Sequence, residues 1–155
     1  MGRTRLDFHP STPEDLYEIP GLDTSDFKNV GVLEKNYLEK FARTFTKDGK
    51  PFALIGITPI WKGCAQVWSY IDKETIKGYF QIERFVFATT KRGIDDYQRL
   101  LNLHRVSMHV ECDDPAAIRF AEHLGFSLEG RMIQHGPDRS DHFMYAKLWE
   151  VGGAS

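Results

Sequence analysis

Residues Val106 to Gly130 read VSMHVECDDPAAIRFAEHLGFSLEG, and the reading of this stretch decides the fold. Val106, Met108 and Val110 alternate with Ser107, His109 and Glu111, the period of two expected of a half-buried strand. Asp113-Asp114-Pro115 then supplies an acidic cap with proline in the first helical turn, where its missing N–H costs nothing. Ala117, Phe120, Ala121 and Leu124 stripe the helix that follows, and Gly125 stops it. Phe126-Ser127-Leu128-Glu129-Gly130 reads as the next strand, Gly136-Pro137-Asp138 as a turn, and Phe143 to Leu148 as the last strand of a terminal hairpin. Strands alternating with helices before a closing hairpin indicate an α/β domain whose central sheet is mixed, mostly antiparallel and flanked by helices.

Upstream, Arg3 to Phe8 can alternate as a first strand, and Ser11-Thr12-Pro13-Glu14-Asp15 carries the marks of a short helix start that must end before Pro20. Val30, Leu33, Tyr37, Leu38 and Phe41 fall at helical spacing and predict a second helix over Val30 to Phe45. Lys47-Asp48-Gly49-Lys50-Pro51 is turn chemistry, and the apolar run Phe52 to Ile60 is a strand. Trp61-Lys62-Gly63 turns the chain, so that Ala65 to Ile71 returns antiparallel to that run.

Two registers compete from Asp72 to Leu101. In one, Ile76, Phe80, Phe87, Ile94, Tyr97 and Leu101 share a face of a long helix, with Gly93 marking a kink or break. In the other, Phe80, Ile82, Val86 and Ala88 alternate as a strand, and a helix begins only after Arg92-Gly93. The helix is the favoured register.

Composition narrows the function. The chain has 155 residues, 41% of them hydrophobic, enough for one core, and is expected to form a single domain over 1–151 with a fraying small-residue tail at 152–155. A net charge of −2 provides no basic excess for nucleic acid or anionic lipid. The apolar run Phe52 to Ile60 is far shorter than the about 20 residues of a membrane helix, and no signal-peptide core precedes it, so a cytoplasmic protein is expected. Cys64 and Cys112, the two cysteines, read as small buried hydrophobes. Six histidines without HxxxH or HExxH spacing give no metal pattern, and Walker A, dinucleotide and GxSxG motifs are absent.

The strand Val106 to Val110, the helix with Ala117-Ile118 and Phe120, then Leu124-Gly125-Phe126, Glu129-Gly130 and a terminal hairpin together resemble the carboxy-terminal third of GNAT N-acetyltransferases (the acyl-CoA N-acyltransferase fold). A closer similarity is to short GNAT-like proteins of tailed bacteriophages and prophages, among them a podovirus virion-assembly protein. It is carried by Gly63 with Val67-Trp68-Ser69, a long helix bearing Arg84, and Ile118-Arg119-Phe120 ahead of Leu124-Gly125-Phe126. The resemblance implies acetyl-CoA as co-substrate and a primary amine as acceptor. Its alternative is a catalytically silent phage protein, in the host cytoplasm or the virion, whose partner is a phage structural protein. A homodimer through an open sheet edge is compatible with either.

The family fingerprint for the CoA pyrophosphate, Arg/Gln-x-x-Gly-x-Gly/Ala, sits at a helix amino end, where free N–H groups and the helix dipole hold an anion. In the strand register Arg92 to Tyr97 lacks the later small residues and brings Asp95 and Asp96 instead. In the helix register the cradle falls at Asp72 to Gly78, with Tyr70, Ile71, Lys73, Thr75, Lys77 and Gly78 as cofactor-binding candidates. The same residues also read as an ordinary capped helix with solvated lysines. The helix tyrosine that protonates the thiolate in many members falls at Ala121, and the usual asparagine at Asp114. Tyr145 or Tyr70 could stand in as acid, and Glu111, His109, Glu83 or Arg84 are candidates near the base. No catalytic residue is assigned by the resemblance.

Overall fold

The computed structural model describes residues 3–20 and 35–150. Its elements run β1 (Leu6–Pro10), α1 (Pro13–Glu18), α2 (Lys35–Phe41), β2 (Ala42–Lys47), β3 (Lys50–Trp61), β4 (Cys64–Ile71), α3 (Lys73–Ile76), α4 (Phe80–Leu101), β5 (Arg105–Glu111), α5 (Pro115–His123), β6 (Ser127–Met132) and β7 (His142–Leu148). The strands form a seven-stranded sheet in the order β1-β2-β3-β4-β5-β7-β6. β4 and β5 pair in parallel, whereas β1–β2, β2–β3, β5–β7 and β6–β7 are antiparallel. This is the mixed, mostly antiparallel sheet expected from the sequence. Its parallel pair requires a long crossover, which α3 and α4 provide.

The described residues group into two compact units, 3–20, 35–57 and 69–89 in the first and 58–68 and 90–150 in the second. In the first, Asp48 and Gly49 both take left-handed backbone, φ 50° and 82°. That is the two-residue turn whose twist matches a hairpin, and it pairs Lys47 with Lys50. The hairpin corrects the expected helix over Val30 to Phe45. Residues 21–34 lie outside the described part, and beyond them α2 stops at Phe41, with Ala42 to Lys47 forming a strand. Phe45 had continued the helical spacing, but it is buried instead against Phe52 and Phe85, ring centroids 6.4 and 5.9 Å away. The first strand is Leu6–Pro10 rather than Arg3 to Phe8.

The helix register holds across the crossover, and α4 runs through Gly93 unbroken, without the expected break. Its buried positions are Ile82, Val86, Thr90 and Ile94, a strict spacing of four, while Phe80, which had been placed on the inner face, is 72% exposed. In the second unit the sequence reading stands closely. Asp114 accepts the Ala117 N–H at 3.1 Å as the cap of α5, Ala121 and Leu124 are buried, and Gly125 ends the helix at φ 92°. Cys64 is buried and Cys112 half-buried.

A buried polar knot fastens α1 to β2. The Asp15 carboxylate caps the Thr12 N–H at 2.9 Å and accepts the Thr44 hydroxyl at 2.8 Å, and Thr44 also meets the Ser11 hydroxyl at 2.9 Å. One hydroxyl has one hydrogen, so with Thr44 donating to Asp15, Ser11 donates to Thr44. Asp15→Ala leaves a cap and a buried hydroxyl without their acceptor, and denaturant unfolding is expected to show a loss of about 1–3 kcal/mol. A loss below a few tenths would mean the knot contributes little.

Candidate functional site

The start of the crossover belongs to the first unit. The Asp72 N–H is tied to the Phe52 carbonyl at 2.8 Å, which fixes where β4 ends. The Asp72 carboxylate then caps α3, accepting the Glu74 N–H at 3.2 Å and the Thr75 hydroxyl at 2.7 Å. Of the sequence candidates, Tyr70 and Ile71 are half-buried at the end of β4, Thr75 is engaged by Asp72, and Lys73, Lys77 and Gly78 are exposed. The helix they were thought to open is one turn long, and the long helix starts at Phe80.

Gly78 takes φ 80°, and Tyr79 opens α4 by offering its carbonyl to the N–H groups of Ile82 and Glu83 at 3.0 and 3.1 Å. A cavity of about 240 Å³ lies there, lined among others by Lys47, Gly78, Tyr79, Phe80 and Gln81. The Lys47 Nζ stands 4.6 Å from the centre of the Tyr79 ring. A left-handed glycine, a helix of 22 residues and the Lys47 ammonium beside its first turn form an arrangement that suits an anion. Sequence reasoning missed Lys47, whose approach is set by strand pairing rather than by proximity in the chain.

In the second unit the β4–β5 ladder has four pairs, Cys64↔Arg105, Ala65↔Val106, Gln66↔Ser107 and Val67↔Met108. β5 then goes on through His109, Val110 and Glu111, paired on its other side with Met144, Phe143 and His142 of β7. His109 is half-buried; its Nδ1 lies 3.3 Å from the Gln66 side-chain amide. Its ring meets that of His135 edge-on at 4.8 Å, and His135 meets His142 at 5.3 Å. Burial first, and then these two imidazoles, push the His109 pKa below its ordinary value. Neither His135 nor His142 stood out in the sequence, since only the β6–β7 hairpin brings them to His109.

The connection that carries His135 is braced. The Asp141 carboxylate accepts the Gln134 N–H at 2.9 Å and pairs with Arg131 at 2.6 Å, and both hold it below the usual carboxylate range. Tyr145 points its hydroxyl at Glu122 of α5, 3.3 Å away, and burial foremost, then Glu122, raises its pKa. Glu83 and Arg84 are exposed on α4. Among the described residues no His, Cys, Asp and Glu side chains group in a way that could hold a metal ion, and no helix is long and apolar enough to cross a membrane.

No protein-family model matches the sequence, and no curated protein matches it either. Solved structures do match the fold. A GNAT-family acetyltransferase from Streptococcus pneumoniae superposes with a TM-score of 0.70 at 16% identity, over 94% of this chain and 100% of that one. A ribosomal-protein-S5-alanine acetyltransferase from Vibrio fischeri reaches 0.65 at 17% identity, over 92% of each chain. A mutant spermidine N-acetyltransferase from Vibrio cholerae gives 0.65 at 21% identity, over 92% of this chain and 93% of that one. The architecture is therefore that of the GNAT acyltransferases. The phage affiliation suggested by the sequence has no counterpart among these three structures.

The His109 shift has a consequence for stability. Well above about pH 6.5 the imidazole is neutral in both the folded and the unfolded chain and contributes no pH dependence. As pH falls through that value the unfolded chain takes up a proton that the folded chain refuses, so stability declines. His109→Gln is expected to flatten part of this decline between about pH 7 and pH 5, measured as unfolding midpoints. Parallel curves for the two proteins would contradict a lowered pKa.

Proposed function

We propose that this chain is a GNAT-type N-acetyltransferase that moves an acetyl group from acetyl-CoA to a primary amine. The observation that carries the reading is the short parallel ladder, which stops at Val67↔Met108 while β5 continues. A strand edge that stops pairing offers backbone amides to an extended, amide-bearing guest, and the pantetheine arm of CoA is such a guest. The solved acetyltransferases that superpose on this fold support the same reading.

Taken within the first unit, the residues at the start of the crossover suit a diphosphate. Gly78 lets the backbone turn into α4, and Lys47 lines the cavity beside its first turn. Lys73 and Lys77, both exposed, add positive charge a turn earlier. Asp72 and Thr75 are spent on the α3 cap and play no part. When bound, acetyl-CoA supplies the activated acyl group; the chain's contribution is to hold the anion, orient the thioester and manage protons.

The competing reading, a silent virion component, makes the opposite prediction for the same measurement. Isothermal calorimetry with acetyl-CoA is expected to show binding, with a thermal shift equivalent to about 2.7 kcal/mol when the ligand stands at one hundred times its Kd. Lys73→Glu combined with Lys77→Glu is expected to weaken that binding about tenfold or more while the fold stays intact. No heat and no shift would remove the acetyltransferase reading. Binding that ignores the double reversal would move the site elsewhere.

A further inference from the structure

Resting on the acetyltransferase reading, we propose that His109 is the general base of the reaction, taking the proton from the acceptor's ammonium group, and that Gln66 positions its ring. The argument begins with place. The ladder ends at Val67↔Met108, so His109 is the first residue of β5 beyond the last pair, at the point where a strand-like guest would meet the sheet. Face follows from pairing. Met108 lies opposite Tyr145, and Tyr145 reaches Glu122 of α5, so Met108 is on the α5 side and His109, its neighbour, on the other. An acceptor arriving on that face would meet an imidazole.

The surroundings keep that imidazole neutral. β4 contributes the uncharged Gln66, β7 contributes His142, and the connection between β6 and β7 contributes His135, while the Asp138 carboxylate of that connection acts on His142. Glu111 shares the face two residues along, and Arg131 is paired with Asp141. Half-burial opposes a positive charge on His109, and His135 in edge contact with its ring and His142 beyond His135 oppose it further. A ring neutral at neutral pH has the lone pair a base needs.

Gln66 decides where that lone pair is. The amide nitrogen of Gln66 faces Nδ1 at 3.3 Å, an orientation in which Nδ1 accepts and Nε2 carries the hydrogen; the two ends of the amide are of equal size, and turning it over reverses the tautomer. With Oε1 turned to the ring, Nδ1 carries the hydrogen and donates it to Gln66, and Nε2 keeps the lone pair. Nε2 of His109 then accepts a proton from R–NH3⁺. The freed amine forms the C–N bond as the C–S bond breaks. Of the two protons lost between ammonium and amide, one leaves through His109 to water and one ends on the CoA sulfur. Ammonium and acetyl-CoA thus become amide, CoA thiol and a proton.

The test compares two acceptors at high concentration, butylamine, which is charged at neutral pH, and trifluoroethylamine, which is already uncharged there. His109→Gln is expected to lower kcat/KM for butylamine by about 10²-fold or more, and for trifluoroethylamine only a few-fold. Gln66→Glu places a carboxylate at Nδ1. An imidazole NMR titration, which needs no turnover, is expected to show the His109 midpoint raised by about one pH unit, with the acid limb of the butylamine profile moving alongside. Equal losses on the two amines, or none, overturn the base role alone. An unmoved His109 midpoint in Gln66→Glu overturns the positioning role. If the unaltered protein neither binds acetyl-CoA nor acetylates either amine, the acetyltransferase reading falls and this proposal with it.

Discussion

The parallel ladder between β4 and β5 depends on one carbonyl. The Gly63 oxygen accepts the N–H groups of both His104 and Arg105, at 2.9 and 3.1 Å, and so fixes the pair at which β5 joins β4. Gly63 can do so because it sits at φ 84°, and a Cβ there would run into the His104 ring, whose Nε2 in turn meets the Cys64 sulfur at 3.4 Å. From that anchor the register is counted out. Cys64 meets Arg105, Val67 meets Met108, and His109 falls one step past the end. A register slipped by one residue would exchange the two faces of β5, turning His109 toward α5 and Met108 away from it.

How much of this was legible in the sequence differs along the chain for physical reasons. Residues 105–148 were readable because their signals are local: alternation in the strand, Asp114 and Pro115 at the start of α5, Gly125 at its end. Ala42 to Lys47 was misread because Phe45 lies four residues beyond Phe41, which is helical spacing, and because the strand is buried on both faces, which hides alternation. The Asp48-Gly49 turn held the contrary signal, since a two-residue hairpin needs a strand before it as well as after. In α4 the element was right and Ile94 was on the inner face as expected, but Phe80 and Phe87 were given inner positions in the first half of the helix that Ile82 and Val86 hold instead.

Candidates for the site could be named only where they are continuous in sequence. Tyr70 to Gly78 could be found by following the fold's usual cradle, yet the role of Asp72 as a cap for a one-turn helix emerged from its hydrogen bonds. The three histidines lie 26 and 7 residues apart, by subtraction from their numbers 109, 135 and 142, and no local rule joins them. Their meeting is a product of pairing: Glu111 lies opposite His142, and the braced connection brings His135 back between them.

The departures from the family pattern fall on the acid rather than on the base. Ala121 is fully buried where many members carry the tyrosine that protonates the thiolate, so a phenol there would have to displace packed neighbours. The next residue of the helix, Glu122, is instead met by a phenol from the sheet, that of Tyr145. Burial and the carboxylate raise the Tyr145 pKa, so this hydroxyl keeps its proton at neutral pH. His109 and Tyr145 stand on opposite faces of adjacent strands, and their shifts run in opposite directions, one toward the unprotonated and one toward the protonated form. In the proposed reaction proton removal lies on the face of β5 that carries His109, the face turned away from α5.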